Sequence, residues 1–232
     1  MRRPKALFFD VFGTLVDWRE GVAREAAAIL GPGIDARAFA DAWRGEYQPG
    51  MERIRSGAEP FAALDVVHRR NLDRILPRFG LANLDEPARQ KLNNAWHRLD
   101  AWPDVTPALH RLWPHMLLAP VSNGNIALTV ALKRRNGFPF DAILGAELAG
   151  DYKPKPRVYR RACEAFGLEP PDCMMVAAHS DDLAAARACG LMTGFVARPN
   201  ERGPGRGEVE PRGPVDVAGR DLGELADRVL AW

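Results

Sequence analysis

Cysteine is scarce in this chain, which has three cysteines among 232 residues. They are Cys163, Cys173 and Cys189, an odd number without a C-x-x-C pair. Such a set provides neither a disulfide framework nor the paired ligands of a structural zinc site. Because each cysteine lies within an apolar helix or strand pattern, we expect reduced thiols in the core of a cytoplasmic protein.

An excess of charge of either sign is also missing, since 32 Lys and Arg stand against 30 Asp and Glu. This balance gives no reason to expect nucleic acid or an anionic membrane as a main partner, and it favours a small molecule. Long apolar runs are missing too. At the start of the chain, the basic segment 1–5 is followed by an apolar run at 6–9 that stops at Asp10. That run is too short for a signal peptide or a membrane span.

What the sequence does contain is an alternation of strand and helix patterns after residue 102. Apolar runs predict strands at 6–9, 116–121, 142–144, 174–178, 193–197 and 215–217. Helical periodicity predicts helices at 126–135, 157–166, 182–189 and 222–230, with another that ends at 112. Before residue 102 the patterns after the first strand are all helical, at 22–30, 36–47, 61–76 and 87–99.

This alternation predicts an α/β fold with an open, parallel, Rossmann-like sheet. We divide the chain into an α/β core, 1–17 and 102–232, and a helical insertion, 18–101. The segment 198–213 is rich in glycine, proline and charge, and is expected to be a surface loop.

Polar residues follow four of the predicted strands, at the point where each strand ends. Asp10 follows the first strand, Ser122 and Asn123 end the second, Lys153 lies after the third, and the segment 179–182 follows the fourth. Ligands of open parallel sheets bind beyond the carboxyl ends of the strands, so we expect these residues to converge. Asp10 is then a candidate nucleophile, although a single aspartate in a turn is more often a turn or helix-capping residue.

Taken together, four segments resemble the four motifs of the haloacid dehalogenase superfamily. They are Phe9-Asp10-Val11-Phe12-Gly13-Thr14-Leu15, Val121-Ser122-Asn123-Gly124, Lys153-Pro154 and the segment around Asp181-Asp182. Order and spacing both match over nearly the whole chain, and the helical insertion corresponds to what that superfamily calls a cap. The resemblance implies the haloacid dehalogenase fold and a covalent ester intermediate on Asp10.

Two positions separate this chain from the phosphatases of the superfamily. Those enzymes carry an acidic residue two places after the nucleophile, where this chain has Phe12, and an acidic pair in the fourth motif, where Ala178 takes the first place. Because Mg²⁺ needs hard oxygen ligands, we expect no metal and no cofactor. Phe12, with Trp43-Arg44 and the Ser-Asn-Gly of the second motif, is similar to the type II L-2-haloacid dehalogenases. That branch hydrolyses 2-haloalkanoic acids to 2-hydroxy acids.

The resemblance implies a catalytic group built around Asp10. Asp10 would displace halide from C2 and form an ester, which water then cleaves. Lys153 would keep Asp10 ionised as a fixed cation beside it, and Thr14 would orient the carboxylate. The simpler alternative for Lys153 is an exposed lysine, the usual state of isolated lysines.

The resemblance also implies a set that binds halide and substrate, namely Val11, Phe12, Trp43, Arg44, Ser122, Asn123 and Tyr159. Arg44 and Asn123 would hold the departing halide. Ser122 and the turn amides from Val11 onward would bind the substrate carboxylate, and Tyr159 would support Lys153 or that carboxylate. Phe12, Trp43 and Trp18 would exclude water around C2. The alternatives are a solvent-facing Arg44 and plain core aromatics at Trp18 and Trp43.

The fourth motif departs from the type II pattern, in which a Ser, an Asn and an Asp handle the hydrolytic water. This chain has Ala177, His179 and Asp182 at those places. Asp182 would orient or deprotonate the water, and His179 would share that role because imidazole titrates near neutral pH. The alternative for His179 is a structural hydrogen-bonding role. The departure leaves the substrate open among small acids, including fluoroacetate.

Three functions are therefore compared. The favoured one is a metal-independent 2-haloacid halidohydrolase, with a small 2-haloacid and halide as its ligands. A Mg²⁺-dependent phosphatase is the second, and Phe12 and Ala178 count against it. A non-catalytic relative is the third, and the set Asp10, Lys153 and Asp182 counts against it. The resemblance also implies a homodimer.

Overall fold

A parallel sheet of six strands forms the centre of the molecule. The computed structural model describes residues 3–232, and Met1 and Arg2 of the basic start lie outside the described residues. The strands are β1 (Ala6–Phe9), β2 (Leu117–Ser122), β3 (Leu144–Gly145), β4 (Cys173–Ala177), β5 (Met192–Val196) and β6 (Val217–Gly219). Their spatial order is β3-β2-β1-β4-β5-β6. The predicted α/β fold with a parallel sheet is confirmed.

The sequence of β1 explains its central position in the sheet. All four residues of Ala6–Phe9 are fully buried, as expected of a strand that is covered on both faces. Phe9 pairs with Pro120 of β2 on one side and with Val176 of β4 on the other, and both pairings are parallel. The carboxyl ends of β1, β2 and β4 therefore meet at one edge of the sheet.

The regular elements between β1 and residue 102 are helices. They are α1 (Trp18–Leu30), α2 (Ala36–Gly45), α3 (Tyr47–Arg55), α4 (Leu64–Ile75) and α5 (Glu86–Asn93), with 3₁₀ turns at Leu76–Phe79 and Asn94–Arg98. The side chains of Asp17, Asp35 and Asp85 accept hydrogen bonds from backbone N–H groups at the starts of α1, α2 and α5. Such caps satisfy donors that have no partner inside the helix.

An aromatic cluster joins this helical segment to the turn after β1. Its members are Phe12, Trp18, Trp43, His68 and Trp96. Trp96 lies at its centre, with ring centroids 5.7 Å from Phe12, 6.4 Å from Trp18, 5.5 Å from Trp43 and 4.2 Å from His68. The helices are therefore packed directly over the carboxyl end of β1.

The helices after residue 102 cover the two faces of the sheet. They are α6 (Val105–Leu112), α7 (Ile126–Asn136), α8 (Ala146–Ala149), α9 (Pro156–Ala165), α10 (Ser180–Ala188) and α11 (Leu222–Leu230). Leu7 and Phe9 belong to one buried cluster, and Ala6 and Phe8 to another, which is the alternation expected along a strand. Within residues 3–232, none of the helices has the length and apolar character of a membrane span.

The structure differs from the sequence-based elements mainly before residue 102. The predicted helix 36–47 ends at Gly45, and the sequence pattern does not predict α3, because Pro49 and Gly50 interrupt the apolar period. Pro49 lies in the first turn of α3, where a backbone N–H would have no intrahelical partner. The predicted helix 87–99 is the shorter α5 and a 3₁₀ turn, and the strand boundaries shift by one or two residues.

The loop 198–213 also differs from its prediction. It contains no regular helix or strand, as expected, but Arg198 and Glu201 within it are buried, with 7% and 2% of their surface exposed. It is therefore not simply a surface segment. Charge and glycine content predicted exposure here, and the long-range contacts of these two residues, described below, override that prediction.

Candidate active site

Asp10 lies directly after β1 and is held there by the backbone and by three side chains. Its N–H donates to the carbonyl of Val176 in β4 at 3.0 Å. Its Oδ1 accepts from Lys153 Nζ at 2.9 Å, and its Oδ2 lies 2.7 Å from Thr14 Oγ1 and 3.1 Å from His179 Nδ1. With 7% of its surface exposed, Asp10 is a buried carboxylate in a fixed orientation.

Lys153 bridges Asp10 to a second carboxylate. Its Nζ also donates to Asp182 Oδ2, while Asp182 Oδ1 accepts from the hydroxyl of Tyr159 at 2.6 Å. The backbone N–H of Lys153 donates to Asn123 Oδ1 at 2.8 Å, which ties the loop after β3 to the end of β2. The exposed-lysine alternative does not hold, because 6% of the Lys153 surface is exposed.

The charges of this group determine which of its members are ionised. Burial alone raises the pKa of Asp10, but the charge of Lys153 and the hydrogen bond and charge of His179 outweigh it and hold that pKa below its usual range. Burial lowers the pKa of Lys153, whereas Asp10 and Asp182 raise it further, so the ammonium is retained. Burial raises the pKa of Asp182, and Lys153 only partly offsets this. Asp10 is thus an ionised carboxylate, and Asp182 takes up a proton more readily than an ordinary aspartate.

His179 lies between two carboxylates. Its Nδ1 faces Asp10 Oδ2, and its Nε2 lies 3.1 Å from Glu201 Oε2. Burial lowers the pKa of His179, but hydrogen bonds to Asp10 and Glu201 and their charges raise it to about 10. The imidazole is therefore protonated at neutral pH in the resting site. An imidazolium cannot accept a proton, which argues against the predicted share of His179 in deprotonating water.

Arg44 presents its guanidinium to the same site from α2. Its Cζ lies 3.8 Å from the ring centroid of Tyr47, 5.2 Å from that of Trp18 and 5.7 Å from that of Phe12. Within the described residues, the buried Nη1 of Arg44 has no hydrogen-bond partner. A buried N–H donor without a partner costs free energy, and this one belongs to a cation, so an anion bound beside it would recover that free energy.

A cavity of about 1000 Å³ opens over Asp10. Of the predicted site residues, those that line it are Asp10, Phe12, Arg44, Asn123, Lys153, Tyr159, His179 and Asp182. Its outer lining includes four exposed basic side chains, Lys155, Arg202, Arg206 and Arg212, and three acidic side chains, Glu52, Asp181 and Glu208. This arrangement provides an anionic nucleophile at the base of a cavity whose rim carries both basic and acidic side chains.

Four of the predicted site residues lie behind the cavity lining. Thr14 is fully buried and holds Asp10, while Ser122 accepts from the N–H of Gly124 through its Oγ. Val11 is buried in the core. Trp43 does not form the predicted wall, because its indole N–H donates to the carbonyl of His68 and its ring packs in the aromatic cluster. For Trp43 the structure supports the core alternative.

Sequence patterns did not single out Glu201 or Tyr47 as site residues. Glu201 comes from a loop without periodicity, and it also accepts from the indole N–H of Trp18 at 3.0 Å. No local signal could have identified it, because its partners are more than 20 residues away. Tyr47 lies three residues after Arg44, a spacing that brings side chains together on a helical surface and could have identified it.

The sequence model of the haloacid dehalogenase-like hydrolases matches residues 4–190. The chain belongs to this hydrolase family. It is 30% identical over 200 residues to (S)-2-haloacid dehalogenase 4A of Burkholderia cepacia, an alignment that covers 84% of this chain and 83% of that protein. The sequence-based assignment to the superfamily, on its L-2-haloacid dehalogenase side, is confirmed.

Solved structures support the same assignment. The defluorinating L-2-haloacid dehalogenase Rha0230 superposes with a TM-score of 0.94 at 41% identity, over 99% of this chain and 96% of that one. An L-2-haloacid dehalogenase from Xanthobacter autotrophicus with chloropropionic acid covalently bound gives 0.83 at 25% identity, over 98% of both chains. This chain is therefore similar to L-2-haloacid dehalogenases, one of which holds chloropropionic acid covalently.

The two positions that distinguish this hydrolase from the phosphatases of its superfamily are both apolar and buried. Phe12 packs edge-on against Trp96, and the side chain of Ala178 is 1% exposed. Neither side chain has an oxygen for a metal or a proton for a leaving group. Among residues 3–232, His, Cys, Asp and Glu form no cluster of three that could hold a metal ion.

Proposed function

We propose that this hydrolase removes halide from small 2-haloalkanoic acids and releases 2-hydroxy acids, with Asp10 as the nucleophile. The observation that carries the proposal is the buried, ionised Asp10 held by Lys153 in a cavity that also contains the unpartnered Nη1 of Arg44. A nucleophile and an anion-binding group thus face one space. The matched dehalogenases support the same reaction.

Asp10 Oδ1 is the oxygen that attacks C2 of the substrate. Oδ2 already faces Thr14 and His179, whereas Oδ1 accepts from Lys153 alone among the described side chains and keeps a lone pair free. A new Oδ1–C2 bond forms as the C2–halogen bond breaks, and the halogen leaves with the bonding electron pair. The product of this step is an ester of Asp10 and a halide ion.

Arg44 is placed to stabilise the departing halide. Its guanidinium is buried against Tyr47 and offers Nη1, so the halide regains an N–H donor as it loses its bond to carbon. The aromatic side chains around Arg44 keep water away, which strengthens the attraction between the two charges. The amide of Asn123 lines the same cavity and supplies a further donor.

Recognition of the substrate carboxylate falls to the ends of β1 and β2. We assign it to the turn amides after Asp10 and to the Ser122 segment, next to the ammonium of Lys153. Lys155 and Arg206 at the rim attract an anionic substrate before it binds, whereas Arg212 is paired with Asp181 and Glu208. Added salt weakens this attraction.

The helical segment 18–101 acts as a cap over the α/β core, 1–17 and 102–232. Arg44 and Tyr47 come from this segment, and Asp10, Lys153 and His179 come from the core, so the complete site needs both. We also propose a cytoplasmic homodimer. The three buried free cysteines support a reducing compartment, and light scattering of the purified protein tests the dimer.

The alternative function, a Mg²⁺-dependent phosphatase, lacks support from these residues because Phe12 and Ala178 offer neither a general acid nor a metal ligand. One experiment separates the functions. Halide release from chloroacetate, fluoroacetate and L-2-chloropropionate is measured with and without EDTA, beside phosphate release from small phosphate esters with Mg²⁺. We expect halide release that EDTA leaves unchanged. Phosphate release alone would favour the phosphatase, and no release of either product would favour a non-catalytic relative.

A further inference from the structure

We propose that His179, held as an imidazolium by Glu201, forms with Thr14 an oxyanion hole for hydrolysis of the Asp10 ester. The inference rests on the proposed function, because it concerns the second half of that reaction. It assigns His179 the opposite role to a general base. It also makes Glu201 a positioning residue that acts through His179.

Two donors converge on the oxygen that does not attack the substrate. Thr14 Oγ1 lies 2.7 Å from Asp10 Oδ2, and it accepts the N–H of Ala178 at 3.0 Å, which directs its own proton toward Asp10. His179 Nδ1 lies 3.1 Å from the same Oδ2. Once Oδ1 is joined to C2, Oδ2 is the carbonyl oxygen of the ester, the atom on which negative charge develops when water attacks.

Glu201 continues to favour the charged form of His179 after the ester forms. The ionisable groups that face its ring are Asp10 on one side and Glu201 on the other, with Lys153 and Asp182 beyond Asp10, and Arg44 and Arg202 beyond Glu201. Ester formation neutralises Asp10 but leaves Glu201 ionised. Burial raises the pKa of Glu201, and the hydrogen bond and charge of His179 lower it to about 2, so Glu201 keeps its negative charge at neutral pH.

Glu201 is fixed in place by several parts of the chain. Its Oε1 accepts from Trp18 of the helical segment, and Gly13 of the Asp10 turn leaves room for its carboxylate. The start of its loop is anchored by Arg198, whose guanidinium pairs with both oxygens of Asp104 and donates to the carbonyl of Thr14. A carboxylate held this firmly fixes both the charge and the ring orientation of His179.

The hydrolytic step balances without any further reactant. The oxygen of water bonds to Cγ of Asp10, its proton passes to Asp182, and the electron pair of the C=O bond moves to Oδ2, between Thr14 and His179. When the carbonyl re-forms, the Cγ–Oδ1 bond breaks and the departing alkoxide takes a proton from Lys153. Lys153 then regains a proton from Asp182, to which it is hydrogen-bonded. Asp10 is released as a carboxyl group that loses its proton to solvent.

The test compares His179→Ala, His179→Gln and Glu201→Gln with the unmodified enzyme. Rapid mixing with L-2-chloropropionate gives the halide burst, which reports ester formation, and the later steady rate reports ester hydrolysis. Loss of an oxyanion-hole donor slows the step it serves by about 10²- to 10³-fold, so His179→Ala should accumulate the ester. His179→Gln retains an N–H donor and should recover part of the hydrolytic rate, although glutamine cannot act as a base.

Glu201→Gln gives the decisive pH profile. Without the charge of Glu201 the pKa of His179 falls, so the rate of ester hydrolysis should decrease as pH rises through neutrality. The matched control is Glu210→Gln, which removes the same charge from an exposed position in the same loop and should keep the profile of the unmodified enzyme. Circular dichroism of each variant verifies that it is folded.

Two results overturn the proposal. One is a hydrolysis rate in Glu201→Gln that increases as pH rises through neutrality, and the other is His179→Gln hydrolysing the ester as slowly as His179→Ala. Either result would make His179 the base, while the halide burst would leave the proposed function intact. Absence of any halide release from the unmodified enzyme would instead contradict the proposed function itself. If the variants at one of the two positions, His179 or Glu201, do not fold, the variants at the other position still test the proposal.

Discussion

Gly13 and Glu201 occupy adjoining space, so a Cβ on Gly13 would lie 2.4 Å from Oε1 of Glu201. Gly13 also has a φ of +87°, a backbone conformation that side-chain-bearing residues rarely adopt. Two physical reasons therefore favour glycine at position 13. It allows the turn to form, and it admits the carboxylate that pairs with His179.

The first prediction concerns Gly13→Ala. The variant should be less stable by about 1–3 kcal/mol from backbone strain alone, with a further loss from the contact with Glu201. Gly31→Ala is the matched control, because Gly31 has a φ of +80° and open space around it. Urea unfolding of the two variants separates the contact from the strain. Equal losses in the two variants would mean that Glu201 moves aside freely.

The second prediction concerns Lys153 and the pH dependence of ester formation. The charges of Lys153 and His179 hold the pKa of Asp10 below its usual range despite burial, so the halide burst should persist at mildly acidic pH. In Lys153→Met the effect of burial is no longer offset by the ammonium, and Asp182 adds a like charge. The pKa of Asp10 should therefore rise. In a plot of burst rate against pH, the decrease on the acidic side should move to higher pH.

The control for this prediction is Lys155→Met, which removes a positive charge from an exposed side chain two residues away. The pH at which its burst is half-maximal should equal that of the unmodified enzyme. An acidic limb that stays in place in Lys153→Met would show that another group keeps Asp10 ionised.

The third prediction concerns Arg44. Arg44→Lys keeps the charge but loses the planar group that lies over Tyr47 and the Nη1 donor. Ester formation should slow by about 10²-fold or more, the loss expected when one charge-stabilising donor is removed. Arg37→Lys, an exposed position on the same helix, serves as the control and should keep the burst rate. A burst of unchanged rate in Arg44→Lys would remove Arg44 from halide binding.

The fourth prediction concerns His68, which is 1% exposed and stacks on Trp96. Among the described residues neither ring nitrogen has a hydrogen-bond partner. Burial, with a smaller effect from the charge of Arg44, lowers the pKa of His68 to about 3. The unfolded chain binds a proton at this residue below about pH 6.5, whereas the folded chain does not until the pH is far lower. The unmodified protein should therefore lose stability as pH falls from 6.5.

His68→Phe tests this linkage. The free energy of unfolding of His68→Phe relative to the unmodified protein should rise as pH falls below 6.5, by up to about 1.4 kcal/mol per pH unit. Urea titrations at a series of pH values measure it. A difference between the two proteins that is independent of pH would mean that His68 is protonated in the folded state.

The strands could be predicted from the sequence because a buried parallel strand leaves a short, continuous apolar run. The run at Ala6–Phe9 has the boundaries of β1, and the other runs deviate only at their ends. The helix α3 could not be predicted, because Pro49 and Gly50 disfavour a helix and only packing of Met51 and Ile54 against the core favours it. Tertiary packing outweighs local preference there.

The site also contains residues that the sequence predicts and residues that it does not. Asp10, Lys153 and Asp182 were found because each follows a strand, and the topology of a parallel sheet brings strand ends together. Glu201 follows no such rule, since it reaches the site from a loop after β5 through contacts with Trp18 and His179. Trp43 shows the reverse error, because its ring packs against His68 and Trp96 and does not line the cavity, although its neighbour Arg44 does.

Transfer of oxygen from water tests the covalent role of Asp10 most directly. The unmodified enzyme is allowed a single turnover of L-2-chloropropionate in ¹⁸O-water, with excess enzyme, and both the product and the peptide that contains Asp10 are analysed by mass spectrometry. Water attacks Cγ of Asp10 in this account, so ¹⁸O should appear in Asp10 and be nearly absent from the 2-hydroxy acid. Asp10→Asn should release no halide. Label that appears in the product during the first turnover, with none in Asp10, would mean direct attack by water on C2 and would contradict the account.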